Sequence, residues 1–145
     1  MEPARGRPRP ANGLKFPAPF PATDPLPTAV IVDDYPVMRE LLKEFLRRAG
    51  YEVVGEAGSA RELYEGFTRW TPEVLVLDVL LPDANAAQVT RKLLASHPGT
   101  RILVVSGLEG ESELARDCLA AGARAFLAKP FTHAELEAAL AAVRA

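Results

Sequence analysis

Five polar side chains stand at the ends of short apolar stretches of the sequence. Asp33 and Asp34 follow one stretch, Asp78 follows another, Ser106 ends a third, and Lys129 comes just after a fourth. Carboxylates, a hydroxyl and an amine are groups that bind metal ions and stabilise or accept phosphoryl groups. These residues are therefore the first candidates for chemistry, provided that the fold brings them together.

The chemistry expected from this set is specific. Three carboxylates brought together repel one another and have raised pKa values unless a cation joins them. Oxygen ligands without a neighbouring His or Cys favour a hard cation, and Mg2+ is the natural choice. One carboxylate can then attack a phosphoryl group and form an aspartyl phosphate. The metal and Lys129 would neutralise charge on the transferring oxygens, and Ser106 offers a hydroxyl to one of them.

The surrounding sequence alternates apolar stretches with segments of helical periodicity. Continuously apolar runs such as 74–77 and 102–105 are typical of strands covered on both faces, as in parallel sheets. Five strand–helix units predict a (βα)5 α/β fold with helices on both faces of one parallel sheet. The predicted strands are 29–32, 52–56, 74–77, 102–105 and 125–127, and the predicted helices are 37–49, 60–70, 86–96, 112–121 and 134–143.

This topology predicts where the chemistry lies. Right-handed crossovers place the functional crevice of such a sheet at the carboxyl ends of its strands. The candidate residues all stand at those ends. Ser59 and Thr132 are predicted to cap helices, Thr132 with Glu135 as a capping box, and Gly50 and Gly122 are predicted to end them.

Each candidate also has an ordinary interpretation when taken singly. Asp34 could cap the helix that begins at Pro36. Ser106 could be a turn residue, and Lys129 a solvated loop residue. Asp78, between two apolar residues, is harder to explain in this way because an unpaired carboxylate is costly there.

The amino-acid composition divides the chain into a Pro-rich leader, residues 1–27, and a body, residues 28–145. Eight of the 13 prolines of this 145-residue chain fall within residues 1–27, which lack apolar periodicity. We expect a disordered Pro-rich extension over 1–27 and one compact domain over 28–145. The body carries 13 basic and 17 acidic residues. This balance argues against direct binding of nucleic acid through phosphate contacts.

Other classes of protein are excluded on similar grounds. No apolar run approaches the length of a membrane helix, about 18 residues, so no membrane association is expected. The N-terminus lacks the apolar region of a secretory signal. The single cysteine, Cys118, fits a reducing compartment, and we expect a cytoplasmic protein.

The ordered set of motifs resembles the receiver domains of two-component response regulators. The resemblance covers residues 28–145 and rests on Val-Asp-Asp at 32–34, Asp-Val-Leu-Leu-Pro at 78–82, Ser-Gly at 106–107 and Lys-Pro at 129–130. It implies a flavodoxin-like, doubly wound sheet with strand order 2-1-3-4-5. It also implies that a phosphoryl group switches the domain between two states.

The resemblance assigns a role to each site residue by its position. Asp78 would be the phosphoacceptor, and Asp33 and Asp34 would bind Mg2+ together with Asp78 and the backbone carbonyl of Leu80. Lys129 would contact the phosphoryl group. The bond from Lys129 to Pro130 would be a cis peptide, which proline permits.

The resemblance assigns further roles in signalling and in the lifetime of the phosphorylated form. Ser106 and Phe126 occupy the positions of the family's switch pair, although Phe126 could equally be an ordinary core aromatic. Leu80 and Leu108 lie where relatives tune access of water, and both are apolar here, which predicts slow self-dephosphorylation. The sequence departs from the family in two places: Ala86 replaces a common glycine, and Phe126 lacks the hydroxyl of a common tyrosine.

The function implied is that of a phosphoacceptor switch rather than an enzyme acting on other substrates. A histidine kinase or phosphotransfer protein would phosphorylate Asp78, and the domain would act on a downstream protein without its own output domain. Homodimerisation through the fourth helix, fifth strand and fifth helix is common among relatives. The alternatives are a truncated receiver of a longer DNA-binding regulator, a phosphate-independent interaction module, and a haloacid-dehalogenase-type phosphatase. The last needs a second aspartate where Leu80 stands.

Overall fold

The chain folds into five strand–helix units in sequence order. The computed structural model describes residues 25–107 and 112–145. Residues 1–24 of the predicted extension at 1–27 therefore lie outside the described residues. The strands are β1 (Thr28–Val32), β2 (Glu52–Ala57), β3 (Val74–Asp78), β4 (Arg101–Ser106) and β5 (Ala125–Ala128). The helices are α1 (Pro36–Arg48), α2 (Ala60–Trp70), α3 (Ala86–Ser96), α4 (Ser112–Ala121) and α5 (His133–Arg144).

All five strands are parallel and form one sheet in the order β2-β1-β3-β4-β5. This is the predicted (βα)5 flavodoxin-like fold, and the prediction is confirmed. Every predicted strand and helix is present, and each bound agrees within one residue. The strongest pattern in the sequence, continuous apolar strands separated by amphipathic helices, was sufficient to identify the architecture.

Two hydrophobic layers hold the helices against the sheet. Strand residues alternate between the layers, so that Val30 faces one and Ile31 the other. The first layer receives buried side chains of α2, α3 and α4, including Leu63, Val89 and Cys118. The second layer receives those of α1 and α5. None of the helices in the described part of the chain is long and apolar enough to span a membrane.

Helix ends follow local sequence signals. Ser59 accepts a hydrogen bond from the backbone of Glu62, and Thr132 forms a capping box with Glu135, as predicted. Gly50 and Gly122 have positive φ angles of 94° and 119° just after their helices. The hypothesis that Asp34 caps α1 is wrong. The N-cap residue is Tyr35, and its side chain makes no capping hydrogen bond. Pro36 at the first position of the helix has no N–H that needs a partner.

Two glycines within a strand and a helix leave room for the side chain of Trp70. A Cβ atom at Gly55 of β2 or at Gly66 of α2 would overlap the indole ring of Trp70. The indole therefore lies in a notch between this strand and this helix. The two glycines are needed for packing, which offsets their cost within a strand or helix.

Candidate functional site

The candidate residues meet at the carboxyl edge of the sheet. In the strand register, Asp78 at the end of β3 pairs with Val105 of β4, and Ser106 at the end of β4 pairs with Ala128 of β5. Asp33 follows β1 directly, and its backbone N–H donates to the carbonyl of Ala57 at the end of β2. Adjacent parallel strands therefore bring residues that are distant in sequence to one place.

Three carboxylates form the centre of the site. Asp33 is buried, with 1% of its surface exposed, whereas Asp34 is exposed and Asp78 is half-buried. One carboxylate oxygen from each lies within 4.8 Å of the others. Asp33 Oδ1 also accepts a hydrogen bond of 2.9 Å from the backbone N–H of Tyr35. This bond fixes the orientation of the buried carboxylate.

Lys129 brings positive charge to this cluster. Its Nζ lies 3.2 Å from Asp33 Oδ2 and 3.5 Å from Asp78 Oδ1. Its backbone N–H donates to the carbonyl of Ser106 at 2.7 Å, which ties the end of β5 to the end of β4. The peptide bond from Lys129 to Pro130 is cis.

The surroundings of Asp78 change its acidity. Its pKa is raised from 3.8 to about 6. Burial is the main cause, since it disfavours the charged form, and the negative charges of Asp33 and Asp34 act in the same direction. The ammonium of Lys129 opposes them and lowers the pKa, without compensating fully. One ammonium beside three carboxylates leaves net negative charge at this edge.

The donor set fits a hard divalent cation. The cluster offers carboxylate oxygens only, with no His or Cys among its members, and its excess negative charge favours a bound cation. Asp33, Asp34 and Asp78 would supply the side-chain ligands. The backbone carbonyl of Leu80 stays a predicted further ligand. The Leu80 side chain itself is 46% exposed.

The loop after Asp78 is closed by its own backbone. Leu81 N–H donates to the carbonyl of Ala84, and Ala86 N–H donates to that of Val79, both at 3.0 Å. Asn85 caps α3 through a capping box with Gln88, which the sequence analysis did not predict. Ala86, the departure from the family's glycine, is fully buried as the first residue of α3.

Asp83 in the same loop has a role that the sequence analysis missed. Its two carboxylate oxygens accept hydrogen bonds from the backbone N–H groups of Ala60 and Arg61, at 2.9 and 3.0 Å. These bonds hold the loop that follows Asp78 against the start of α2. Asp83 lies 23 residues after Ala60 in the sequence, so this contact gives no local sequence signal.

The predicted switch residues occupy different environments. Ser106 is buried, with 3% of its surface exposed, next to Lys129 in space. Phe126 lies within β5 opposite Val104, two residues before the edge where the carboxylates meet. Its side chain is 40% exposed, so the interpretation as an ordinary core aromatic is wrong for this structure. Leu108 lies outside the described residues.

Arg39 is a second residue that the sequence analysis missed. From the first turn of α1, its Nη1 donates to the backbone carbonyl of Asp33 at 2.6 Å. Its Nε donates to Glu56 Oε1 near the end of β2 at 2.8 Å. The sequence shows an arginine six residues after Asp33, but periodicity does not reveal which way its side chain turns.

Comparison with known proteins agrees with this geometry. The model of the response regulator receiver domain matches residues 29–141. The chain belongs to the receiver domain family of response regulators. Its relatives include the chemotaxis protein CheY of Thermotoga maritima, which is 33% identical over 111 residues, or 77% of this chain and 92% of that protein.

Solved structures of receiver domains superpose well on this chain. A CheY-like receiver domain protein from Methanospirillum hungatei has a TM-score of 0.73 at 28% identity, over 80% of this chain and 91% of that one. A chain of the CheX–CheY–BeF3–Mg complex from Borrelia burgdorferi has a TM-score of 0.77, over 85% and 92%. At 22% identity the latter supports the receiver fold alone. As a receiver domain, the chain is a signalling component of a two-component system.

Proposed function

We propose that Asp78 accepts a phosphoryl group from a histidine kinase or phosphotransfer protein in a reaction that depends on Mg2+. The observation that carries the proposal is the position of Lys129 Nζ, 3.5 Å from Asp78 and 3.2 Å from Asp33, beside three clustered carboxylates. A nucleophile, its charge-stabilising amine and a set of cation ligands are thereby within reach of one phosphoryl group.

The proposed transfer needs few protein groups. A carboxylate oxygen of ionised Asp78 attacks the phosphorus of a phosphohistidine, so that a P–O bond forms while the P–N bond breaks. The imidazole nitrogen leaves with the bonding electron pair. With a pKa of about 6, Asp78 is mainly ionised at neutral pH and therefore competent as a nucleophile.

The charge on the transferring oxygens is stabilised from two sides. A bound Mg2+ would supply a positive charge that offsets the repulsion between the carboxylates and the phosphoryl oxygens. Asp33, Asp34 and the Leu80 carbonyl would hold it with Asp78. Lys129 would move its ammonium from the Asp78 carboxylate toward the phosphoryl oxygen.

Phosphorylation would then act through the ends of β4 and β5. Ser106 is buried at the end of β4 and is joined to Lys129 through the backbone. We propose that the Ser106 hydroxyl turns to the phosphoryl group and that the ring of Phe126 turns inward from its exposed position. Such a movement would change the surface formed by α4, β5 and α5, where a downstream protein or a second copy would bind.

The decisive experiment is chemical labelling. Incubation with acetyl phosphate and Mg2+ should add the mass of one phosphoryl group, with loss of acetate. Asp78→Asn should abolish the adduct, and chelation of Mg2+ should prevent it. Asp117→Asn serves as a matched control because it changes an exposed aspartate of α4 that does not belong to the carboxylate cluster.

The alternatives predict other outcomes of this experiment. No adduct on the wild type would favour a phosphate-independent interaction module. Turnover of many phosphoester substrates would favour a haloacid-dehalogenase-type phosphatase. The hydrocarbon side chain of Leu80 argues against a phosphatase. Such enzymes need a second carboxylate at this position as a general acid and base.

A further inference from the structure

We infer that Arg39 is a positioning residue that holds the backbone between Asp33 and Asp34 in the shape required to bind Mg2+. This inference rests on the proposed function, which supplies the metal. The side chain of Arg39 is 21% exposed and lies beside the site without belonging to the carboxylate cluster. Its contacts are with the backbone of the cluster and with a neighbouring strand.

The backbone of Asp33 is held on both sides. Its N–H donates to the carbonyl of Ala57 at 3.0 Å, and its carbonyl accepts the hydrogen bond from Arg39 at 2.6 Å. That carbonyl belongs to the peptide plane that leads into Asp34. Because a peptide is planar, fixing its oxygen also fixes the N and Cα atoms of Asp34, so that within the backbone only rotation about φ of Asp34 is left to direct its side chain. Asp34 is exposed, so few other contacts restrain it.

The guanidinium is itself anchored. Glu56 accepts from Arg39 Nε at 2.8 Å through Oε1 and from Lys43 Nζ at 2.7 Å through Oε2. The two cations hold the pKa of Glu56 below its usual value, so the carboxylate stays charged and the anchor persists at neutral pH. Arg39 thus joins the loop between β1 and α1 to the end of β2.

Positioning and electrostatics make opposite predictions for this residue. A positive charge near three carboxylates repels a divalent cation, so removing that charge alone should tighten Mg2+ binding. If Arg39 acts by holding the loop, its removal should weaken binding despite the lost repulsion. Partners of metal ligands typically contribute about 10–100-fold to metal affinity. The sign of the change therefore separates the two roles.

The test is calorimetric titration of Mg2+ into the wild type, Arg39→Gln and Arg39→Lys. We expect the dissociation constant to rise about tenfold in Arg39→Gln. A smaller rise is expected in Arg39→Lys, because an ammonium can still donate to one acceptor, although it lacks the planar fork that serves two acceptors at once. Lys43→Gln is the matched control. It removes a positive charge that pairs with Glu56, as Arg39→Gln does, but Lys43 makes no hydrogen bond with Asp33. It should shift the constant by less than about twofold.

A second measurement reports on the loop without metal. The Tyr35 N–H donates to Asp33 Oδ1, so its amide resonance and its exchange rate report the orientation of that carboxylate. In metal-free protein both should change in Arg39→Gln and stay unchanged in Lys43→Gln. Should Arg39→Gln not fold, the same measurements on Arg39→Lys decide the matter.

The outcomes distinguish this inference from the proposed function. Unchanged or tighter Mg2+ binding by a folded Arg39→Gln, with wild-type binding intact, overturns the positioning role and leaves the proposed function standing. If the wild type binds no Mg2+, the proposed metal site fails, and the inference fails with it. Equal weakening by Lys43→Gln would also overturn it, since the effect would then belong to the charge on Glu56.

Discussion

Lys129 Nζ lies 3.5 Å from Asp78 Oδ1, although 51 residues separate the two in sequence. The contact exists because β3 and β5 both pair with β4, which brings the ends of these strands to one edge. This contact lowers the pKa of Asp78, whereas burial and the neighbouring negative charges raise it. The same ammonium is available to a phosphoryl group on Asp78.

Lys129→Met should slow phosphorylation. It removes the ammonium that stabilises charge on the transferring oxygens while keeping a side chain of similar length. We expect labelling by acetyl phosphate at saturating Mg2+ to slow by about tenfold or more. The rate is measured by intact mass over time. A rate equal to that of the wild type would show that Lys129 takes no part in the transfer.

Asp78→Asn should stabilise the metal-free protein above about pH 6. The folded state raises the pKa of Asp78 from 3.8 to about 6, so it binds a proton more tightly than the unfolded state does. Stability of the wild type therefore rises as pH falls through this window, and above it the ionised carboxylate destabilises the fold.

The size of this effect follows from the shift. Two pKa units correspond to about 3 kcal/mol at most, and contact of the site with water reduces this to about 1–2 kcal/mol. Urea denaturation in the presence of a chelator should show this gain for Asp78→Asn at neutral pH and its disappearance near about pH 4. A gain that is independent of pH would contradict the prediction.

The sequence was sufficient to predict the fold and the meeting of the three carboxylates with Lys129 at one edge of the sheet, but not the contacts that hold them there. Continuous apolar strands fixed the position of Asp78 and Lys129 at one edge, because parallel topology leaves little choice there. Asp83 was missed because it bonds to a backbone group 23 residues away in sequence. Arg39 was missed because nothing in the sequence shows that its side chain turns back to the Asp33 carbonyl and to Glu56. Such contacts depend on side-chain direction, which hydrophobic periodicity does not encode.

The exposure of Phe126 also could not be predicted from the sequence. An aromatic residue within a strand is buried or exposed according to which face the neighbouring helices cover. Here the edge strand β5 leaves its side chain 40% exposed. The alternation of small and large residues in this short strand does not distinguish the two cases.

Leu80→Asn should shorten the lifetime of the phosphorylated protein. Leu80 is 46% exposed just beyond Asp78, and its carbon side chain cannot orient an attacking water molecule. An amide can, so we expect hydrolysis of the phosphorylated form to accelerate by about tenfold. The rate is measured by loss of the phosphoryl mass after removal of the donor. Leu108→Glu is expected to act in the same direction, and Leu80→Met, which stays apolar, is the control.

Gly66→Ala should destabilise the protein although alanine favours helices. A Cβ at this buried position of α2 would overlap the Trp70 ring, and the required rearrangement should cost about 1–3 kcal/mol. The gain in helix propensity of about 1 kcal/mol offsets part of this cost, so we expect a net loss of up to about 2 kcal/mol. Gly99→Ala, where no atom lies within 4 Å of the added Cβ, is the control and should be nearly neutral in urea denaturation.

Asp83→Ala should loosen the start of α2 and the loop that follows Asp78. The two carboxylate oxygens of Asp83 satisfy the N–H groups of Ala60 and Arg61, which have no partner within the helix. We expect the exchange of these two amides with solvent to accelerate by about tenfold, measured by hydrogen exchange and NMR.

Acidification should have the same effect on the wild type. These backbone hydrogen bonds hold the pKa of Asp83 below its ordinary value of 3.8. The stabilisation is therefore complete above that value and is lost as pH falls through the lowered pKa. Once corrected for the intrinsic rate at each pH, exchange at Ala60 and Arg61 should accelerate in the wild type at low pH but stay constant in Asp83→Ala. Equal protection of these amides in both proteins at neutral pH would show that Ser59 alone is enough to cap α2.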